Sequence, residues 1–219
     1  MTDGILLIDK PAGMTSFGVV ARVRRILSER AGKKVKVGHT GTLDPFATGL
    51  LILCVGKETK NAMSYTKLDK TYEATILLGK TSTTGDPEGE ISQVSDKLPT
   101  KESVHDVLGC FVGEITQTPP VYSAIKVNGQ RAYSLARQGR SVEIPERQVK
   151  IYSLELLDYD YPELKIKARV SSGTYIRSLA EDIGKALNTG AYCVQLRRTS
   201  VADWSVDQSQ KLKALGITD

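Results

Sequence analysis

Residues 164–201, "LKIKARVSSGTYIRSLAEDIGKALNTGAYCVQLRRTSV", contain the elements whose order decides the fold. From Leu164 to Val170 apolar residues alternate with basic ones at the period of two that belongs to a half-buried strand. Ser171-Ser172-Gly173 breaks the alternation, and from about Ser178 the residues Leu179, Ile183, Ala186 and Leu187 recur at helical spacing. "AYCVQLRRTSV" then reads as a second strand carrying a basic pair, Arg197 and Arg198. A strand, helix and strand in this order begin a doubly wound fold only when the rhythm continues, and here it does not.

Working outward, "GILLIDKPAG" reads as a short buried strand, Ile5 to Ile8, stopped by Lys10-Pro11 and a Pro-Ala-Gly turn. A helix follows, capped by Thr15 or Ser16, with Val19, Val20, Val23, Ile26 and Leu27 on its apolar side. "LLILCVG" is an apolar strand, and the alternation in "TYEATILLG" predicts a strand beside it. "GDPEGEI" is a cluster of turn formers, and "KESVHDVLGCF" has helical spacing at Val104, Val107, Leu108 and Phe111. Strands and helices mix without a regular βαβ rhythm and without a long repeat. The expected class is α+β, a mixed and largely antiparallel sheet flanked by helices.

Between Pro119 and Lys150 the pattern changes. Paired prolines, an Asn-Gly turn, and Lys126, Arg131, Arg137, Arg140 and Arg147 interleaved with Tyr122 and Tyr133 predict an extended, partly exposed excursion. With 219 residues the chain fits one large domain carrying such an insertion. Thirty Lys and Arg against 25 Asp and Glu give a net charge of +5, which mildly favours a polyanionic partner. Basic residues also cluster near the N-terminus, at Arg22, Arg24, Arg25, Lys33, Lys34 and Lys36, where a solvated face is the plainer reading. Cys54, Cys110 and Cys193 are odd in number and far apart, which argues against a disulfide framework or a zinc site and for a reducing cytoplasm. The chain shows neither a secretory signal nor an apolar run long enough to span a membrane. A soluble intracellular monomer is expected.

Several chemistries lose ground on spacing alone. A Walker A loop needs a glycine where "ATILLGKT" has Ala74, and a Ser or Thr where "GKET" has Glu58. His39 and His105 are the only histidines, too few for a histidine-rich metal site, and no G-x-S-x-G elbow supports a serine hydrolase. What stands out is "GHTGTLDPFATGLL", residues 38–51. Asp44-Pro45 suits the N-cap and first position of a short helical turn. It equally suits a carboxylate held on a stiffened backbone, with small neighbours leaving room for a ligand. The two readings are compatible.

"GILLIDKPAGMTSFGVVARVRR", "GHTGTLDPFATGLLILCVGKETK", "KTYEATILLG", "PPVYSAIKVNGQRAYSLAR", "VSSGTYIRSLAEDIG" and "LRRTSVADW" occur in an order and spacing that resemble the TruB family of pseudouridine synthases. The resemblance runs over nearly the whole chain. It implies isomerisation of the T-loop uridine of tRNA, position 55 in tRNA numbering, without metal or any other cofactor. It places Asp44 at the ribose, either attacking C1′ or removing a proton from C2′, with Arg177 as the guanidinium that keeps a buried carboxylate ionised. Tyr72 stacks on the flipped base and assists proton removal from C5, Tyr175 and Leu196 line the pocket, and His39 fills the vacated space.

The same resemblance makes the excursion at about 119–150 an RNA-gripping insertion, and adds Lys10 and the N-terminal basic residues as phosphate contacts. Only "SVDQSQKLKALGITD" follows "TSVADW", so residues 1–219 are expected to form a single catalytic domain without the PUA-type C-terminal RNA-binding domain usual in the family. Two alternatives use the same fold: an RNA-binding factor that helps tRNA fold, and the catalytic subunit of a guide-RNA-dependent complex.

Overall fold

The strand formed by Thr48–Val55 is apolar over most of its length rather than alternating because both of its faces are covered. A computed structural model of the chain describes residues 3–123, 125–127, 130–132, 135, 138 and 143–217. They divide into two units, one comprising residues up to 72 together with those from 197 onward, the other residues 73–196. The chain passes from the first to the second within one strand and returns within another.

In the first unit β1 (Gly4–Lys10) leads to helix α1 (Ser16–Ala31), then β2 (Val37–His39) and β3 (Thr48–Val55). Helix α2 (Ala62–Thr66) precedes β4 (Lys70–Leu78), of which residues 70–72 belong here. β1 runs antiparallel to β3 with Gly4 opposite Val55 and Lys10 opposite Gly49. One face of this pair packs Leu6, Ile8, Leu51, Leu53 and Val55 against Val19, Val20, Val23 and Leu27 of α1. The other face of β3, Leu50 and Ile52, packs with Val201 and Trp204. Helix α1 starts at the expected place: the Thr15 side chain caps it by accepting from the Gly18 N–H at 2.9 Å. Gly32, in the left-handed conformation at φ 62°, ends it.

The second unit continues β4 and adds the hairpin β5 (Lys80–Ser82) and β6 (Ile91–Gln93), helix α3 (Lys101–Cys110) and β7 (Gly113–Gln117). A small hairpin, β8 (Lys126–Val127) with β9 (Gln130–Arg131), lies in the excursion. Then come β10 (Arg147–Asp160), β11 (Glu163–Val170), helix α4 (Ile176–Ala186) and β12 (Ala191–Val201), whose last residues return to the first unit. β7, β10 and β11 pair antiparallel, as the alternation in the sequence requires. The first unit closes with β13 (Trp204–Ser205), paired with β12, and β14 (Gln210–Lys211), paired parallel with β1. The mixed, mostly antiparallel sheet agrees with the expected class.

Three expectations need adjustment. β3 and β4, read as neighbours, are separated: β3 pairs in parallel with β12, Arg197 opposite Thr48 and Arg198 opposite Gly49, and Thr199 Oγ1 of β12 donates to Thr71 O at 3.3 Å. The turn and helix in residues 56–69 give the chain length enough to step over a strand. Helix α4 begins at Ile176 rather than near Ser178, because Tyr175 already occupies its N-cap position. The excursion ends earlier than Lys150, since Arg147 is the first residue of β10. Tyr133, Arg137 and Arg140 lie outside the described residues.

The parallel pairing of β3 with β12 rests on one glycine. Gly49 has φ +101°, and a side-chain carbon there would strike the Arg198 carbonyl oxygen and come to 2.8 Å from its nitrogen. Neither obstacle is a movable side chain. Gly49→Ala should therefore destabilise the protein by about 3 kcal/mol, readable as a lowered urea midpoint at unchanged slope. A midpoint equal to the parent's would mean that the strands are not held this close.

Candidate active site

Asp44 stands in a turn whose backbone is tied down on every side. Its carbonyl accepts from the Ala47 N–H at 3.2 Å, closing a four-residue turn with Pro45 at the second position, where proline's fixed φ is favourable. No helix follows, since the chain passes straight into β3, so the helix-cap reading of Asp-Pro is not the one realised. Just before Asp44, the buried Ser16 hydroxyl accepts from the Leu43 N–H at 2.8 Å and donates to the Leu43 carbonyl at 3.0 Å. Just after it, the Pro45 carbonyl accepts from the Gly13 N–H at 2.8 Å and from Lys10 Nζ at 3.2 Å.

Lys10 is the least expected part of this arrangement. Expected to meet phosphate, it is instead fully buried, and its ammonium also donates to the carbonyls of Pro11 at 2.8 Å and Met14 at 2.7 Å. Strand alternation carries the signal: Leu6, Ile8 and Lys10 share the buried face of β1. A second buried cation, Arg198, donates from Nε to Leu50 O at 2.7 Å and from Nη2 to Gly41 O at 3.1 Å, tying together the two ends of the segment that contains Asp44. His39 is half-buried at the end of β2, in register with Leu53, and the next residue, Thr40, donates its N–H to Ile52 O at 3.1 Å. Tyr72 is buried on β4.

Lys70, at the start of β4, is a third buried cation, donating to the carbonyls of Thr66 at 2.7 Å and Leu68. Burial, reinforced by the charge of Arg198 and opposed by Asp69, pushes its pKa down from 10.5 to about 8.

In the second unit, Arg177 is buried at the second position of α4. Its Nη1 meets Asp86 Oδ2 at 3.0 Å and Thr84 O at 2.8 Å, and its Nη2 meets Tyr122 O at 2.8 Å. Asp86 is itself held, accepting on Oδ1 from Thr84 Oγ1 at 2.6 Å and from the Glu88 N–H at 3.0 Å. Sequence reading saw only a turn in "GDPEGE". Tyr175 is gripped through its backbone by the buried amide of Gln117, which accepts from its N–H at 2.8 Å and donates to its carbonyl at 3.0 Å. The Arg147 guanidinium lies 5.7 Å from the centre of the Tyr175 ring. Leu196 is buried on β12.

Asp44, His39 and Tyr72 thus belong to the first unit, and Tyr175, Arg177 and Leu196 to the second. One unit offers a carboxylate on a backbone that cannot drift, the other a guanidinium oriented by a carboxylate and two carbonyls. Groups fixed in this way are held ready for chemistry that depends on position.

Residues 24–176 match the model of the TruB family pseudouridylate synthase (N terminal domain). The tRNA pseudouridine synthase B of Cupriavidus metallidurans is 49% identical over 218 residues, covering 97% of this chain and 67% of that protein. The protein of the same name from Dechloromonas aromatica is 47% identical, covering 99% of this chain and 71% of its own length. Among solved structures, a chain of a Cbf5-Nop10-Gar1 complex superposes with a TM-score of 0.75 at 30% identity, covering 97% of this chain and 53% of that one. A chain from an H/ACA RNP bound to a substrate RNA containing 2'-deoxyuridine gives 0.70 at 27%, covering 99% of this chain and 56% of that one. This chain therefore spans about two thirds of the length of those curated relatives and about half that of the solved chains. The fold is that of a pseudouridine synthase. The chain belongs to the TruB family of these enzymes.

Two of the buried ions make stability predictions. Because the folded pKa of Lys70 lies below its ordinary value, the unfolded chain holds that proton more tightly, and stability rises as pH climbs from about 8 to 10.5. The free energy of unfolding of the parent minus that of Lys70→Met should grow by up to about 3 kcal/mol across that window, measured by urea titration at each pH. A flat difference would mean that the ammonium is hydrated.

Asp86→Ala leaves the Arg177 charge buried without its carboxylate and should cost about 3–5 kcal/mol, while Asp86→Asn, which keeps the acceptor oxygen, costs clearly less. Equal losses would show that the neutral acceptor oxygen contributes nothing and that the pair depends on charge alone.

Proposed function

We propose that this chain isomerises uridine to pseudouridine in the T loop of tRNA, acting as one catalytic domain with the basic excursion, from about residue 119 to the start of β10, gripping RNA. The observation that carries the reading is the turn at Asp44, tied through Leu43 and Pro45 to Ser16, Gly13 and Lys10, in a chain whose 44–49% identical relatives are named tRNA pseudouridine synthase B. The reaction breaks the C1′–N1 bond, joins C1′ to C5 and moves one proton from C5 to N1. Atoms balance without any co-reactant, and no cofactor is called for.

Asp44 supplies the ionised carboxylate at the ribose, by attack on C1′ or deprotonation of C2′. Arg177 orients and stabilises that charge. Tyr72 stacks on the base drawn out of the T loop and helps remove the C5 proton, Tyr175 and Leu196 line the pocket, and His39 occupies the space the base leaves. The protein works as a monomer in the cytoplasm. A guide-RNA-dependent subunit or an RNA-folding factor is less well supported: the matched chains of the H/ACA RNP and Cbf5-containing structures are only 27–30% identical, against 44–49% for the proteins named tRNA pseudouridine synthase B.

Purified protein incubated alone with an unmodified T-arm transcript should form pseudouridine at the T-loop position. Asp44→Asn keeps the shape of the turn and removes the charge. It should lower single-turnover conversion by at least about a thousandfold while stability changes by less than about 1 kcal/mol. Conversion at the parent's rate would leave Asp44 with its turn as its only role.

A further inference from the structure

Lys150 and Tyr152 are two residues apart on β10 and both face solvent, whereas Val149 and Ile151 between and beside them are buried. Across the strand pair, Arg169 of β11 stands opposite Ser153 and is likewise exposed, between buried Ala168 and Val170. The Lys150 ammonium lies 5.6 Å from the centre of the Tyr152 ring and the Arg169 guanidinium 5.2 Å from it. One exposed ring therefore gathers two cations. Among the described residues neither of them forms an ion pair, although Glu114 of β7 is in register opposite Lys150.

Two like charges drawn to one ring repel each other, and the ring's attraction only partly offsets this. A solvated strand face has no need of the arrangement, since long basic side chains elsewhere on a surface are free to separate. A half-exposed lysine further along β11, Lys165, behaves as a surface cation ordinarily does and pairs with Asp158 at 3.1 Å. What completes the Lys150–Tyr152–Arg169 cluster is an anion with two oxygens or two adjacent anions. A nucleic-acid backbone offers both.

We infer that Lys150, Tyr152 and Arg169 form a phosphate-binding station for RNA on the exposed face of β10 and β11, outside the catalytic residues. It rests on the reading of the protein as an RNA-modifying enzyme. The chain enters β10 directly from the basic excursion, so RNA held by that segment finds the station next along the chain. Tyr152 acts as the scaffold that presents both cations, and the station reads backbone rather than sequence.

The test is equilibrium binding of the full chain to a T-arm stem-loop across a salt series, alongside single-turnover pseudouridine formation at saturating RNA. Lys150→Gln combined with Arg169→Gln should raise Kd about tenfold or more near physiological salt. It should flatten the slope of log affinity against log salt by about 1.5, because each lost phosphate contact removes about 0.7 to 0.9. Single-turnover chemistry at saturation should stay at the parent's rate.

Lys165→Gln combined with Lys185→Gln removes the same net charge from lysines already paired with Asp158 and Asp182, and should leave Kd within about twofold. Tyr152→Phe should bind as the parent does, while Tyr152→Leu, which keeps both charges but loses the ring, should fall between the parent and the double variant. Parental affinity and slope in the Lys150 and Arg169 double variant would overturn the inference, as would an equal loss in the Lys165 and Lys185 control. If the parent forms no pseudouridine on the T arm yet these binding differences appear, the reaction assignment fails and the station stands.

Discussion

Buried cations that donate to backbone carbonyls hold the segment around Asp44 in place. Removing an ammonium or guanidinium from water is costly unless every donor finds an acceptor, and carbonyl dipoles supply acceptors without adding a countercharge. Lys10 meets the carbonyls of Pro11, Met14 and Pro45, and Arg198 meets those of Gly41 and Leu50. Such a cation organises a loop in a way that an apolar side chain cannot, because each donor fixes the direction of a particular peptide group. The carbonyls come from segments that share no regular secondary structure. Much of the chain between β2 and β3 is fixed by these contacts and by Ser16.

The second unit uses a different device for the same purpose. Arg177 has a carboxylate, Asp86, as well as two carbonyls, so a countercharge and dipoles meet it together. Asp86 is held in turn by Thr84 and the backbone of Glu88. Carbonyl acceptors bring no countercharge of their own, and burial, reinforced by the charge of Arg198, keeps the pKa of Lys70 depressed. Each unit thus orients its charged group through neighbours that are themselves fixed, the arrangement on which preorganised chemistry depends.

The sequence made the fold legible where periodicity was strong and the partner lay close by. Helix α1 and its Thr15 cap, strands β1, β3 and β11, and helix α3 all lie where apolar spacing placed them. It misled where pairing is decided at long range: nothing local in "LLILCVG" shows that its neighbour is β12 rather than the next strand along. Lys10 was half legible, since alternation puts it on a buried face, but a lysine's usual preference for water argued the other way. Asp86 was illegible. Its partner is 91 residues away, and a turn aspartate looks the same whether or not a buried arginine waits for it. Asp44 was singled out by its Asp-Pro turn, and the role proposed for it came from the matched blocks along the chain.

β3 has consequences beyond packing. Both its edges are occupied, by β1 on one side and by β2 and β12 on the other, and both its faces are covered. A strand so enclosed exposes its amide protons to solvent only when the surrounding unit opens, so those protons belong to the slowest class of hydrogen exchange. Asp44 lies a few residues upstream of that strand and is joined to it by Ala47, which is itself buried. The turn that carries the carboxylate is thus anchored at its end to a strand whose amides open slowly. Its position is inherited from a segment that breathes on the timescale of unfolding rather than on that of surface loops.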